Sequence, residues 1–256
     1  MDIDAYLARI GVTRPVGTDA SALRRLQEHH LAAVPFENLS IHLGEPIELT
    51  EEALFDKIVG WRRGGFCYEL NGLFAALLRE LGFTTALHGA YVFHDDGTTG
   101  PALDHAAIRV DLAEPWLVDV GFGRFSRAPL RLDVTEPRAD LEGEFLIREG
   151  PAGDTDVSCD GKPQYRLEQR PRALADFAGM AWYQATSPDS HFVRKPVCSL
   201  PTPNGRISLS GDQLIETVGD TRRESTLDTD GAILATYRER FGISLTSVPR
   251  SPREQP

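Results

Sequence analysis

Apolar positions in the first third of the chain recur at three- and four-residue steps, the spacing of a helix with one buried face. Ile3, Leu7 and Ile10 predict a short helix that Gly11 stops. A second helix is expected from Thr18 or Asp19, with Leu23, Leu26 and Ala33 on one face and Pro35 beyond its end. Thr50 is a good N-cap for a third, with Glu51 and Glu52 favoured in its first turn and Leu54, Phe55, Ile58 and Val59 on its buried side. The strongest pattern starts at Cys67: Leu70, Leu73, Phe74, Leu77, Leu78 and Leu81 line up before Gly82 closes the helix.

Beyond Gly82 the pattern turns strand-like. Residues 84–94, 105–112 and 116–122 carry Tyr91, Val92, Phe93, Ile108, Val110, Leu117 and Val118, and Ala113-Glu114-Pro115 reads as a hairpin loop. More short strands are expected between 129 and 170, then a short helix over 173–179. Strands over 205–210, 213–218 and 221–227 follow, and a helix over 228–241 presents Ile233, Leu234, Tyr237 and Phe241. The tail Pro249–Pro256 is polar and expected to fray. Helices first, strands second and a small mixed unit last predict an α+β fold with an antiparallel sheet or small barrel at its centre.

Composition narrows the function. The 256 residues include 27 Lys and Arg against 38 Asp and Glu, a net charge of −11, which argues against a nucleic-acid binder. No apolar run approaches the roughly 20 residues that cross a bilayer. The start, Met1-Asp2-Ile3-Asp4, puts acidic residues where a signal peptide has basic ones. The three cysteines, Cys67, Cys159 and Cys198, are widely spaced, so neither a zinc site nor a disulfide framework is expected. A cytoplasmic protein without metal or membrane partner is the expectation. Its oligomeric state is left open.

Cys67 is the candidate nucleophile. It opens a buried helix directly after Arg63-Gly64-Gly65-Phe66. The unpaired N–H groups of a helix start favour a thiolate, and an imidazolium nearby favours it far more. The alternative is a packing cysteine, and the glycine turn weighs against it. Gly64 and Gly65 would let backbone approach a substrate closely. Among seven histidines His105 stands out because it opens a strand whose hairpin partner carries Asp119. If Leu112 faces Trp116, odd-numbered residues of both strands share a face. That register leaves His105 opposite Gly123, so a bulge at Gly121 or Gly123 is needed to bring it to Asp119. The bland alternative is a strand-edge histidine and an exposed aspartate.

Several segments, in order, resemble the arylamine N-acetyltransferase family. Pro35-Phe36-Glu37-Asn38 is similar to its early signature and Arg63-Gly64-Gly65-Phe66-Cys67 to its nucleophile segment. His105 precedes a strand as the family's histidine does. Val118-Asp119-Val120-Gly121-Phe122-Gly123 resembles its aspartate segment, and Ser187-Pro188 with Ser190-His191-Phe192 a further one. The resemblance implies a Cys67–His105–Asp119 triad arranged as in papain, and three domains. These are an N-terminal helical bundle over 1–85, a central antiparallel β-barrel over 86–200 and a small C-terminal α/β lid over 201–256. It also implies acetyl-CoA as donor, an arylamine, hydrazine or arylhydroxylamine as acceptor, and a ping-pong course. Phe36 and Phe122 resemble acceptor-pocket positions. Thr99-Gly100 resembles a coenzyme A contact, but lies farther from His105 than the family pattern has it. Arg124, Arg127, Arg194 and Lys195 are candidates to face a diphosphate. Competing expectations are an amide synthase of the same family that closes an aromatic-amine macrolactam, a Cys-His-Asp hydrolase and a non-catalytic binding protein.

Overall fold

The structure, a computed structural model, describes residues 1–251. Helix α1 (Ile3–Ile10) starts where the Asp2 carboxylate accepts from Ala5 N and stops at Gly11 in the left-handed region. Helix α2 (Ala20–Ala33) is capped by Asp19. Then come the two-residue strand β1 (Phe36–Glu37), α3 (Leu39–Leu43), and α4 (Glu51–Phe55) capped by Thr50 and continued by a π-turn over Asp56–Gly60. Helix α5 (Cys67–Glu80) is buried at 12 of its 14 residues. A helix buried on nearly every side belongs in a core. Around it gather Tyr6, Leu23, Leu26, Leu54 and Ile58 from the helices, and Ala106, Ile108, Val110 and Val118 from the strands that follow.

The strands are β2 (Thr84–Val92), β3 (His105–Asp111), β4 (Pro115–Val118), β5 (Leu130–Arg131), β6 (Arg138–Asp140), β7 (Gly143–Glu149), β8 (Thr155–Cys159) and β9 (Lys162–Arg172). They form one antiparallel sheet in the order β5-β4-β3-β2-β9-β8-β7-β6. The sheet is antiparallel as expected and curls into a half-barrel rather than a full β-barrel. Its edge strands β5 and β6 have two and three residues, too few hydrogen bonds to join across the gap. Ala90, Leu117, Phe125, Phe145 and Tyr165 fill its concave side with a second apolar cluster.

After α6 (Ala178–Thr186) come β10 (Val197–Thr202), β11 (Gly205–Ser210), β12 (Gln213–Val218), β13 (Thr221–Thr226) and α7 (Asp230–Phe241). The second sheet runs β1-β10-β11-β12-β13, so its first strand comes from far back in the chain. Helix α7 covers it through Ile233, Tyr237 and Phe241, which pack with Cys198, Ile207 and Leu209. The expected fraying of the tail does not hold for its described part. Ser251 is buried and donates to Val193 O at 3.2 Å, and Arg250 N donates to His42 O at 3.3 Å. Residues 252–256 lie outside the described residues. No described helix is long and apolar enough to cross a membrane.

Candidate active site

The register of the β3–β4 hairpin places His105 beside Asp119. Asp111 pairs with Pro115 and Ile108 with Val118, a register shifted by two residues from the expected Leu112–Trp116 pairing. The turn is Leu112-Ala113-Glu114, closed by Leu112 N donating to Glu114 O, and Pro115 belongs to the strand. Continued one residue, this ladder sets Asp119 opposite Ala107, one diagonal step from His105 on the same face. No bulge is needed. His105 Nε2 donates to Asp119 Oδ2 at 2.7 Å.

Asp119 is fully buried and held by three more donors. Tyr165 Oη donates to Oδ2 at 3.1 Å, while Asn71 Nδ2 and Gly121 N each donate to Oδ1 at 2.9 Å. Burial opposes the carboxylate, but the His105 cation and these hydrogen bonds hold its carboxyl below the usual range. Burial likewise opposes charge on His105. The Asp119 carboxylate reverses that, helped by the Cys67 thiol within hydrogen-bonding reach, and the ring is pushed up to about 10. With Nε2 given to Asp119, Nδ1 is the ring nitrogen left for the sulfur. Sequence reading singled out neither Asn71 nor Tyr165 for this role. Asn71 lies one turn after Cys67 on α5, which is a local signal. Tyr165 arrives from β9, and nothing in the chain near Asp119 marks it.

Two contacts fix the start of β3 against α5. Tyr68 Oη donates to Leu103 O at 2.8 Å and to Asp104 O at 3.1 Å. Leu103 is held at φ +63°, an uncommon conformation for a leucine. Gly121 completes the junction, because a Cβ there would stand 2.7 Å from Cys67 Cα and 2.7 Å from Asn71 Nδ2.

The turn before Cys67 is built by the early segment Pro35-Phe36-Glu37-Asn38. Glu37 N donates to Gly65 O at 2.8 Å. A Cβ on Gly64 would fall 1.9 Å from Pro35 O, and one on Gly65 would fall 2.7 Å from Glu69 Oε2. These glycines therefore admit the chain's own β1 and Glu69, not a substrate as expected. Glu37, fully buried, accepts from Arg63 Nε at 2.9 Å, Gly64 N at 3.3 Å and Leu39 N at 2.6 Å. Burial opposes its charge, but Lys57 and Arg63 hold its carboxyl below the usual range. Asn38 clips the 192–197 segment: its Nδ2 donates to Phe192 O at 2.8 Å and Lys195 O at 3.0 Å, and its Oδ1 accepts from Val197 N at 2.7 Å.

The result is a cavity of about 400 Å³ into which Cys67 and His105 both open. Phe36, Phe122 and Phe192 form aromatic walls, Val92 and Val197 add aliphatic ones, and His94, Asp104, His191 and Lys195 supply polar groups. The Phe122 ring meets the His105 ring edge-on at 5.0 Å. Phe36 and Phe122 are thus both at the site. Thr99 and Gly100 sit on the neighbouring hairpin, where Thr99 bridges Phe93 and Gly100 N donates to Val92 O at 2.8 Å, and neither lines the cavity. Of the four candidate cations only Lys195 does. Arg124 and Arg127 pair with Glu142, and Arg194 donates to Asp189 O at 3.4 Å. No cluster of metal ligands occurs among the described residues.

A family model described as N-acetyltransferase matches residues 19–249. Arylamine N-acetyltransferase 2 of Mus musculus is 34% identical, covering 96% of this chain and 95% of its own. Arylamine N-acetyltransferase of Mycolicibacterium smegmatis is also 34% identical, covering 96% and 93%. A solved M. smegmatis arylamine N-acetyltransferase superposes with a TM-score of 0.87 at 33% identity, over 96% of this chain and 93% of that one.

Proposed function

The chain belongs to the arylamine N-acetyltransferase family and is an acyltransferase, and from that premise we propose a two-step reaction. Cys67 takes an acetyl group from acetyl-CoA and passes it to an arylamine, hydrazine or arylhydroxylamine. The observation that carries this reading is that Cys67 and His105 open into one aromatic-walled cavity, with Asp119 bonded to His105 behind it. The reading keeps the division of the chain into units 1–85, 86–200 and 201–256.

His105, charged through its bond to Asp119, faces the sulfur and stabilises its anionic form. The thiolate attacks the thioester carbonyl. Developing charge on the oxygen meets backbone N–H groups at the start of α5. Coenzyme A leaves as a thiol, taking the His105 proton. Sulfur-to-sulfur transfer keeps the acyl group activated. An arylamine, neutral near pH 7, then attacks the acetyl-Cys67 with its free lone pair. His105 removes its proton as general base, and Asp119 fixes the ring and its charge. An alkylamine would arrive protonated, without that lone pair. Phe36, Phe122 and Phe192 offer faces and edges to an aromatic acceptor. Thr99 and Gly100, on the hairpin that also carries Val92 and His94, remain the proposed coenzyme A contacts.

Mass spectrometry after incubation with acetyl-CoA and no amine tests the proposal. One acetyl group on Cys67, discharged by an arylamine, is expected. Cys198 is fully buried and burial pushes its thiol well up, and Cys159 is raised in the same direction. Label on either of those, or none at all, overturns the reading.

A further inference from the structure

We propose that a second cavity, separate from the one at Cys67, binds a small amphipathic anion: an aromatic or aliphatic body bearing one carboxylate or sulfonate. The cavity holds about 780 Å³, within the range of sites that enclose a small organic ligand. It lies between α2, the loop after β4, the turn following β6 and the end of β10, and shares no lining residue with the Cys67 cavity.

Its floor is apolar, made by Leu31, Ala32, Ala128, Leu200 and Pro201. Its charged residues are out of balance. Arg138 lines the cavity, and its side chain has no ion pair or hydrogen bond among the described residues. Among the described residues Arg24 pairs with the exposed Glu28, at 2.6 Å. Arg127, also at the wall, converges with Arg124 and Arg206 on the single carboxylate of Glu142. Asp140, the remaining acid of the wall, is occupied by Ser126 Oγ, Arg127 N and Glu142 N. Three guanidiniums, Arg24, Arg127 and Arg138, thus line the cavity beside two carboxylates, Glu28 and Asp140, in a chain whose net charge is −11.

An uncharged apolar ligand would leave that excess unmet, and an inorganic anion would leave the floor bare. One molecule carrying both features satisfies both. Guanidinium groups bind carboxylate and sulfonate through paired, charge-assisted hydrogen bonds. Arg138, standing on an edge strand, can turn to such a group without giving up another partner.

The probe is 1-naphthoate, titrated calorimetrically into the full chain. One saturable site is expected. Arg138→Ala weakens it about tenfold, Arg138→Lys restores part of that, and the uncharged 1-naphthalenemethanol binds about tenfold less tightly than the carboxylate. Ala32 is exposed, so Ala32→Trp fills the floor without disturbing the core and abolishes binding. Capping Cys67 with one equivalent of N-ethylmaleimide leaves the affinity unchanged. The absence of saturable binding, an affinity indifferent to either Arg138→Ala or Ala32→Trp in a variant with native circular dichroism, or loss on capping Cys67 overturns the proposal.

Discussion

Gly121 lies against the first residue of α5 so closely that a methyl group on its α-carbon would stand 2.7 Å from Cys67 Cα and 3.0 Å from Cys67 O. Both are backbone atoms, and no rotamer change relieves them. The loop carrying Asp119 and the helix carrying Cys67 therefore keep their spacing only with glycine here. Gly121→Ala should push the two apart, cost about 1–3 kcal/mol of stability and slow acetylation of Cys67 by about a hundredfold. Thermal unfolding and the rate of acetyl-enzyme formation check it, and an alanine variant with the parent rate refutes it.

Asn71 and Tyr165 hold the same carboxylate with unequal stakes. Tyr165→Phe removes one hydrogen bond from Asp119 Oδ2 and should cost about 1 kcal/mol. Asn71 also donates to Ala106 O at 2.6 Å and accepts from Val120 N at 2.9 Å. Asn71→Ala gives up three bonds in a buried place, about 3 kcal/mol at about 1 each. Urea unfolding of both variants ranks them, and equal costs would refute the assignment.

The His105–Asp119 pair imposes a pH signature on stability. His105 rises from 6.5 to about 10 on folding, so its share is complete below pH 6.5 and is lost as the pH climbs toward 10. Asp119 moves below 3.8, so its share is present above pH 3.8 and is lost as the pH falls through the lowered folded-state value. The stability gap between the parent and His105→Gln should therefore be widest between pH 4 and 6.5 and shrink by pH 10. Urea midpoints at pH 6, 8 and 10 measure it. A gap that widens with pH has the opposite sign and rules this out.

Glu37 and Arg63 form a buried ion pair under the nucleophile's turn, with both side chains almost wholly out of solvent. Glu37→Gln strands much of the Arg63 charge, since Glu45, its other partner, is partly exposed. Breaking one side of a buried pair typically costs about 3–5 kcal/mol. Chemical denaturation should show that loss, and the Cys67 acetylation rate should fall with it. A change below about 1 kcal/mol would mean that the pair behaves like an exposed one.

The helices were legible because their causes are local. Starts at Asp19 and Thr50 and the apolar faces of α1, α2 and α5 need no distant partner to be read. The same holds for the odd-residue face shared by His105 and Asp119, which follows from the alternation of a strand. Their register was misread because Pro115 looks like a turn residue, yet it pairs with Asp111 in the sheet. Strands β1 and β10 left no readable pattern. Two residues have no periodicity, and Pro201 interrupts β10. It is tolerated because β1 reaches only as far as Ser199, leaving one side of β10 uncovered at residue 201. Tyr165 and the second cavity depend on elements that meet only in three dimensions.

Strand β1 has a consequence for the order in which the molecule can come into being. Phe36 bridges Gly65 on one side and faces Ser199 on the other. As the polypeptide leaves the ribosome, the sulfur and its turn emerge early, but the strand that braces them is still unmade. Until that last third is synthesised and docks, the nascent chain carries the reactive group without its setting, and joining segments so distant is slow work for any folding chain. Chemical competence is thus reserved for the finished polypeptide.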